Sequence, residues 1–137
     1  RRALRQALAR GVKIRIIVPG ANTDVEVARR ASRAAWGELL QAGAEIYEYQ
    51  PAMFHCKMML VDSRLASVGS TNFDNRSFRL NDEANLNVYD PAFVSELEAV
   101  FENDLRHSRR ISYGEWKRRP RLEQVMEQVS SFLSSQL

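Results

Sequence analysis

His55-Cys56-Lys57-Met58-Met59-Leu60-Val61-Asp62, closely followed by Gly69-Ser70-Thr71-Asn72, is the stretch around which this chain is organised. Its largely apolar run, with Pro51 before it and Asp62-Ser63-Arg64 after it, predicts a β-strand over residues 54–61. In a strand, alternate side chains share a face, so His55 and Lys57 are expected to project together. A nucleophile or acid–base group then stands beside a fixed cation, and the amide of Asn72 waits past the next turn. A lysine in an apolar strand is costly to bury unless it meets an anion. The combination suits chemistry on a phosphate.

The surrounding 137 residues, 45% apolar and 27% charged, are enough for one ordinary α/β domain with a core and too few for two. No apolar run is long enough to cross a bilayer and no signal-peptide core is present. The chain lacks an initiator Met and opens in a helix-like segment, which suggests a piece of a longer polypeptide. Cys56 is the only cysteine, so no intrachain disulfide is possible. Net charge is a modest +3, with basic residues gathered towards the C-terminal third.

Outward from the central stretch, periodicity predicts a helix ending at Gly11 and a buried strand over 12–18 stopped by Pro19-Gly20. Thr23 and Glu26 form a capping-box pattern. Behind it, Val25, Ala28, Ala31, Ala35, Trp36 and Leu39 give one helical stripe, closed by Gly43 before a strand over 44–49. Strand, helix and strand with short links imply a parallel βαβ unit. Residues 65–68 pair with the central strand through the Asp62-Ser63-Arg64 reversal, and residues 83–89 alternate, with Glu83, Asn85, Asn87 and Tyr89 on the polar face. Asp90-Pro91 starts a helix striped by Phe93, Leu97, Val100, Phe101 and Leu105. A short helix over 113–119 and a last one striped by Leu122, Val125, Val129, Phe132 and Leu133 complete the reading. The expected fold is a mixed, largely parallel sheet flanked by helices, in a single domain over residues 1–137.

His55-x-Lys57, four residues, Asp62, six residues, then Gly69-Ser70-x-Asn72 resembles the extended HKD motif of the phospholipase D superfamily. The continuation through Phe73-Asp74-Asn75-Arg76-Ser77-Phe78-Arg79-Leu80-Asn81-Asp82-Glu83-Ala84-Asn85 is similar to the bacterial cardiolipin synthase branch, as are Arg10-Gly11-Val12-Lys13-Ile14 and Trp116-Lys117-Arg118-Arg119-Pro120. The resemblance implies phosphatidyl transfer through a covalent phosphohistidine, with one histidine as nucleophile and a second, from another copy of the motif, as acid and base. His55 takes one of these roles, and the sequence leaves open which. Lys57 and Asn72 would donate to the non-bridging oxygens, and Glu83 would orient an imidazole. Ser70 would add a minor phosphate contact. Asp62 alternates to the face opposite His55 and reads as support for the turn.

No cofactor or metal is needed in this scheme. The implied partners are a phosphatidylglycerol-like phospholipid and either an N-terminal half carrying the twin motif or a second copy of the chain. An anionic membrane surface is a further candidate through Arg106, Arg109, Arg110, Lys117, Arg118, Arg119 and Arg121, with nucleic acid ranked behind it. The resemblance places the parent at a bacterial inner membrane and the piece itself in solution, folded but with little activity alone. Competing readings are a phospholipase D-type hydrolase, a nuclease, and a non-catalytic lipid-binding half. Cys56 is expected to be a small buried hydrophobe, Met53, Met58 and Met59 core filler, Arg76 a structural partner of loop carboxylates, and His107 a solvated helix end.

Overall fold

The structure is a computed structural model that describes residues 2–21, 26–72 and 82–134, with the side chains of 26–28 and 131–134 left out. In chain order its elements are α1 (Arg2–Ala9), β1 (Arg15–Pro19), α2 (Glu26–Ala34), α3 (Trp36–Gln41), β2 (Glu45–Tyr49), β3 (Met58–Val61), β4 (Leu65–Gly69), β5 (Asn85–Val88), α4 (Pro91–Arg106), β6 (Ser108–Ile111), α5 (Tyr113–Lys117) and α6 (Arg121–Ser134). They form two compact units, Arg1–Phe54 with His107–Leu137, and His55–Arg106. Thr23 of the capping-box pattern and Arg76 lie outside the described residues.

The first unit holds a three-stranded sheet in the order β1-β2-β6. β1 and β2 run parallel, Arg15 opposite Glu45 through Pro19 opposite Tyr49, as the βαβ pattern requires. The fold is mixed α/β as expected, with the parallel share confined to that pairing; β2/β6, β3/β4 and β4/β5 are all antiparallel. Gly43, at φ +98°, lets the chain leave α3, and the Ala44 N–H closes onto the Leu39 carbonyl before β2 begins. Trp36, Leu39, Ala44, Ile46 and Ile111 form the buried core of this unit. The single helix expected from Val25 to Leu39 is two helices, separated at Ala35. At the break the Ala35 N–H closes onto the Ser32 carbonyl at 3.0 Å, and beyond it Trp36 is 3% exposed while a Cβ on Gly37 would overlap the Trp116 ring.

β6 has no counterpart in the sequence reading, because Ser-Arg-Arg-Ile carries no strand signal of its own. Its partner supplies the reason. Glu48, 3% exposed on β2, sits directly opposite Arg109 and receives its Nη2 at 2.8 Å, while Arg29 of α2 reaches the other carboxylate oxygen at 3.1 Å. A second buried carboxylate repeats the arrangement: Glu127 of α6, 2% exposed, takes Arg119 at 2.8 Å and Arg33 at 3.6 Å. Arg119 also lies over Trp116, 3.9 Å from the ring centroid. Three of the seven basic residues of the C-terminal cluster, Arg109, Arg110 and Arg119, are thus paired within the unit, since Arg110 pairs with Glu45 and Arg109 also with Glu115.

α6 therefore sits on its polar side. Glu127 and Ser130 are buried, whereas Leu122, Val125, Met126 and Val129 are 71, 57, 40 and 53% exposed. The side chains of Phe132 and Leu133 fall outside the description.

In the second unit, β3, β4 and β5 form an antiparallel sheet in that order, against which α4 packs. Asp90 caps α4 by accepting the Phe93 N–H at 2.8 Å, and Pro91 fills the first helical position. Val94 and Ala66 are fully buried. The inward edge of α4 is therefore set by Val94 rather than by Phe93 and Val100, which are 39 and 51% exposed. Among the described residues no helix is long and apolar enough to cross a membrane.

Removing one member of a buried charge group leaves the others unpaired, at a cost of about 3–5 kcal/mol. Glu127→Ala is expected to lose stability of that order in urea unfolding, while Glu123→Ala, at an exposed position of the same helix, stays near wild type.

Candidate active site

The antiparallel order of the second unit decides which residues can meet. The start of β3, the end of β4 and the start of β5 all lie at one end of the sheet. His55 and Lys57 precede β3, Ser70 and Asn72 follow β4, and Glu83 precedes β5. Five of the six residues singled out from the sequence are therefore collected at a single sheet end. Asp62 is the sixth, and it occupies the opposite end, beyond the length of β3, about 13 Å. There it opens a turn closed by the Arg64 N–H on the Val61 carbonyl, with φ +50° at Asp62 and +53° at Ser63. Two successive left-handed residues are what a type I′ reversal demands, and a short polar side chain such as Asp tolerates that region. Ser63 Oγ donates to Glu98 of α4 at 2.9 Å.

Regular pairing begins later than expected. β3 starts at Met58, and the ladder reaches back only to Lys57, whose carbonyl accepts the Gly69 N–H at 3.2 Å. His55 lies outside it, so strand alternation does not set its direction. The physical reason is that the His55 carbonyl is taken by Lys57 Nζ at 3.0 Å instead of by a neighbouring strand. An ammonium has three donors, so that bond leaves two with which to meet an anion. His55 is exposed and Lys57 half-buried.

Beyond Lys57 the register continues to Gly69 and Asn85. A Cβ at Gly69 would overlap both the Ala84 carbonyl and the Asn85 Oδ1. Glycine here is a requirement of close approach. Through that gap Asn85 Oδ1 accepts the Thr71 N–H at 3.3 Å while its amide donates to Ser67 Oγ at 3.4 Å. Ser70 completes the clasp: its N–H donates to the Ala84 carbonyl at 3.0 Å and its Oγ accepts the Ala84 N–H at 3.1 Å. This fixes the backbone immediately before Asn72 and immediately after Glu83. Sequence alternation puts Asn85 on the polar face and assigns it no catalytic task. The signal was its alternation with Glu83, but the partner at Thr71 emerges only from the register.

Cys56 is exposed, against the expectation of a buried residue, because the segment carrying it lies outside the ladder. Partial shielding and the nearby Asp104 raise its thiol pKa, with Lys57 pulling the other way. Met53 and Met59 are likewise 56 and 46% exposed rather than core filler, while Met58 is half-buried. His107 is exposed as expected, and its carbonyl accepts the Gln50 N–H. Among the described residues no group of His, Cys, Asp and Glu is placed to hold a metal ion.

The family model described as "Cardiolipin synthase, PLD-like domain" matches residues 1–105. Over 132 residues the chain is 39% identical to a cardiolipin synthase of Alkalihalophilus pseudofirmus, a match covering 96% of this chain and 26% of that protein. A probable cardiolipin synthase of Bacillus subtilis is 44% identical over 112 residues, 82% of this chain and 22% of the relative. The chain thus spans about a quarter of the length of the curated relatives it matches. Among solved structures, a phospholipase D family member, Nuc from Salmonella typhimurium, superposes with a TM-score of 0.71 at 22% identity, over 81% of this chain and 72% of that one. The fold is shared with that protein. The chain belongs to the family of phospholipase D-like domains of the cardiolipin synthase type.

Two predictions follow from this geometry. Asn85→Leu removes the acceptor for the Thr71 amide and is expected to speed hydrogen exchange at Thr71 and Ser70 about tenfold, whereas Asn85→Asp, which keeps the acceptor, stays close to wild type by the same NMR measurement. Alkylation of Cys56 by iodoacetamide should need no denaturant, proceed slowly at neutral pH, and accelerate only at a pH above that of an ordinary cysteine. Asp104→Asn, which withdraws a neighbouring negative charge, lowers that pH, and Lys57→Met raises it.

Proposed function

We propose that the chain supplies half of a phosphatidyltransferase site, transferring phosphatidyl groups onto a glycerol-type hydroxyl as cardiolipin synthases do. Residues 1–137 are read as one phospholipase D-like half with a single HKD motif, completed by a twin motif in the parent chain or by a second copy. The observation that carries the proposal is the gathering of His55, Lys57, Ser70, Asn72 and Glu83 at one end of the β3-β4-β5 sheet, in a chain of this family.

In the proposed reaction one imidazole attacks phosphorus. A P–N bond forms, the P–O bond to the leaving alkoxide breaks, and the second imidazole hands that alkoxide a proton. The same second imidazole, now neutral, takes the proton of the acceptor hydroxyl, whose oxygen displaces the histidine as the P–N bond breaks. His55 is one of the pair. Lys57 and Asn72 stabilise the charge that gathers on the non-bridging oxygens in each transition state, Ser70 lends a lesser contact, and Glu83 accepts a ring N–H to hold an imidazole in its reactive tautomer. Asp62 supports the turn. The substrate is a phosphatidylglycerol-like lipid, which places the parent at a bacterial membrane.

Full-length parent supplied with labelled phosphatidylglycerol is expected to form cardiolipin, and His55→Ala to reduce the rate at least about 10³-fold without unfolding the protein. Phosphatidic acid as the only product would assign the chain to hydrolysis, and cleavage of single-stranded DNA in its place would assign it to nucleic acid. Undiminished transfer by His55→Ala would leave this half a passive lipid binder. The 137-residue chain on its own should show little transfer, and robust transfer by a species that sediments as a monomer would contradict the half-site.

A further inference from the structure

α6 is turned against the usual rule for an amphipathic helix. Its buried side holds Glu127 and Ser130, and its solvent side holds Leu122, Val125 and Val129, with Met126 at the edge, where its sulfur accepts from Arg30 of α2 at 3.6 Å. Those four positions, spaced three, one and three apart, form one continuous stripe over two turns. The inversion is fixed by chemistry in the same unit. Glu127 is held between Arg33 of α2 and Arg119, and Gln124 Nε2 donates to the Arg119 carbonyl at 2.9 Å, so rolling the helix to bury the stripe would strand three charged groups.

The charge around the stripe is as one-sided as its polarity. Arg109, Arg110 and Arg119 are spent on Glu48, Glu115, Glu45 and Glu127. Lys117, Arg118 and Arg121 remain, exposed and without an ion pair among the described residues, within five positions of Leu122. The exposed Glu123 is the only acidic residue from 116 to 126. A cleft of about 330 Å³, lined by Trp116, Arg118 and Pro120 and also by Glu115 and Glu123, opens beside the same end of the helix.

We infer that this face of α6 docks on an anionic lipid surface, with the stripe seated among the acyl chains and Lys117, Arg118 and Arg121 against the headgroups. An interfacial helix buries its apolar side by roughly 5–10 Å in this way. Each cation near such a surface adds attraction comparable to that of a buried methylene. Four apolar side chains fall well short of the roughly 20–30 residues a side that a stable protein–protein interface uses, which disfavours a second copy as the occupant. The choice of lipid rests on the phospholipid reading above, but the docking does not require the reaction.

The test is flotation of the 137-residue chain with phosphatidylcholine vesicles, with or without phosphatidylglycerol. Binding is expected with phosphatidylglycerol and weak without it. Leu122→Ser with Val129→Ser, both at exposed positions and checked by circular dichroism, should weaken it at least about tenfold. Lys117→Gln, Arg118→Gln and Arg121→Gln together should weaken binding to the anionic vesicles by about a hundredfold and leave the weak neutral binding unchanged. Equal flotation of wild type and the stripe variant overturns the inference, as does no flotation at all. Concentration-dependent self-association abolished by Leu122→Ser also overturns it, in favour of a second copy. Transfer by the parent with no docking by this chain refutes the docking alone, and docking without transfer refutes the catalytic reading alone.

Discussion

At Gly69 a single missing side chain admits the Asn85 carboxamide between two strands, and the candidate site depends on that close approach. Asn85 fastens the chain leaving β4, the neighbouring Ala84 fastens Ser70, and the two pairs of bonds hold one sheet end where three segments converge. Each bond is modest, of order 1 kcal/mol net. Their value lies in arrangement: Asn72 and Glu83 are separated by ten residues of sequence, and antiparallel pairing with this clasp brings the chain segments that bear them side by side. A site that must stabilise charge developing on phosphate oxygens gains most when its donors need no reorganisation at the moment of reaction.

The other unit solves a different problem with charge. Two carboxylates are buried almost completely, each between two guanidinium groups, in a chain whose core of Trp36, Leu39, Ile46 and Ile111 is small. Buried ion groups of this kind contribute little net stability compared with apolar side chains of the same volume, but they penalise alternatives heavily. Glu48 makes a strand of the polar β6 sequence, and Glu127 decides which way α6 faces. The outward stripe is a consequence of that second choice. Fold specificity in one place leaves four apolar side chains exposed in another, beside cations that have no ion pair among the described residues.

Much was legible from the residues themselves. Period-2 and helical patterns located most elements, the Asp90-Pro91 pair located the start of α4, and the motif spacing identified the family. Turn chemistry was readable at Asp62-Ser63-Arg64 because left-handed residues are needed there whatever the tertiary context. Local reading failed where a residue's state depends on a distant partner. Sequence pattern starts the strand at residue 54, whereas regular pairing starts at Met58 and the His55 carbonyl accepts from Lys57 Nζ. Cys56 and Met59 look like core on composition and are exposed. Phe93 outranks Val94 on hydrophobic bulk, yet α4 buries Val94.

The sequence by itself determined the chemistry available: a histidine and a lysine two residues apart, an Asn past a Gly-Ser turn, and an acidic residue entering the next strand. These are properties of residue type and spacing, and physics acts on them locally. The tertiary structure alone decided which of them share an end of the sheet and sent Asp62 to the other end. It also gave Asn85 and Gly69 their joint role and turned the apolar stripe of α6 outward. Such outcomes depend on register and on buried charge pairing, which couple residues tens of positions apart and leave no periodic trace in the chain.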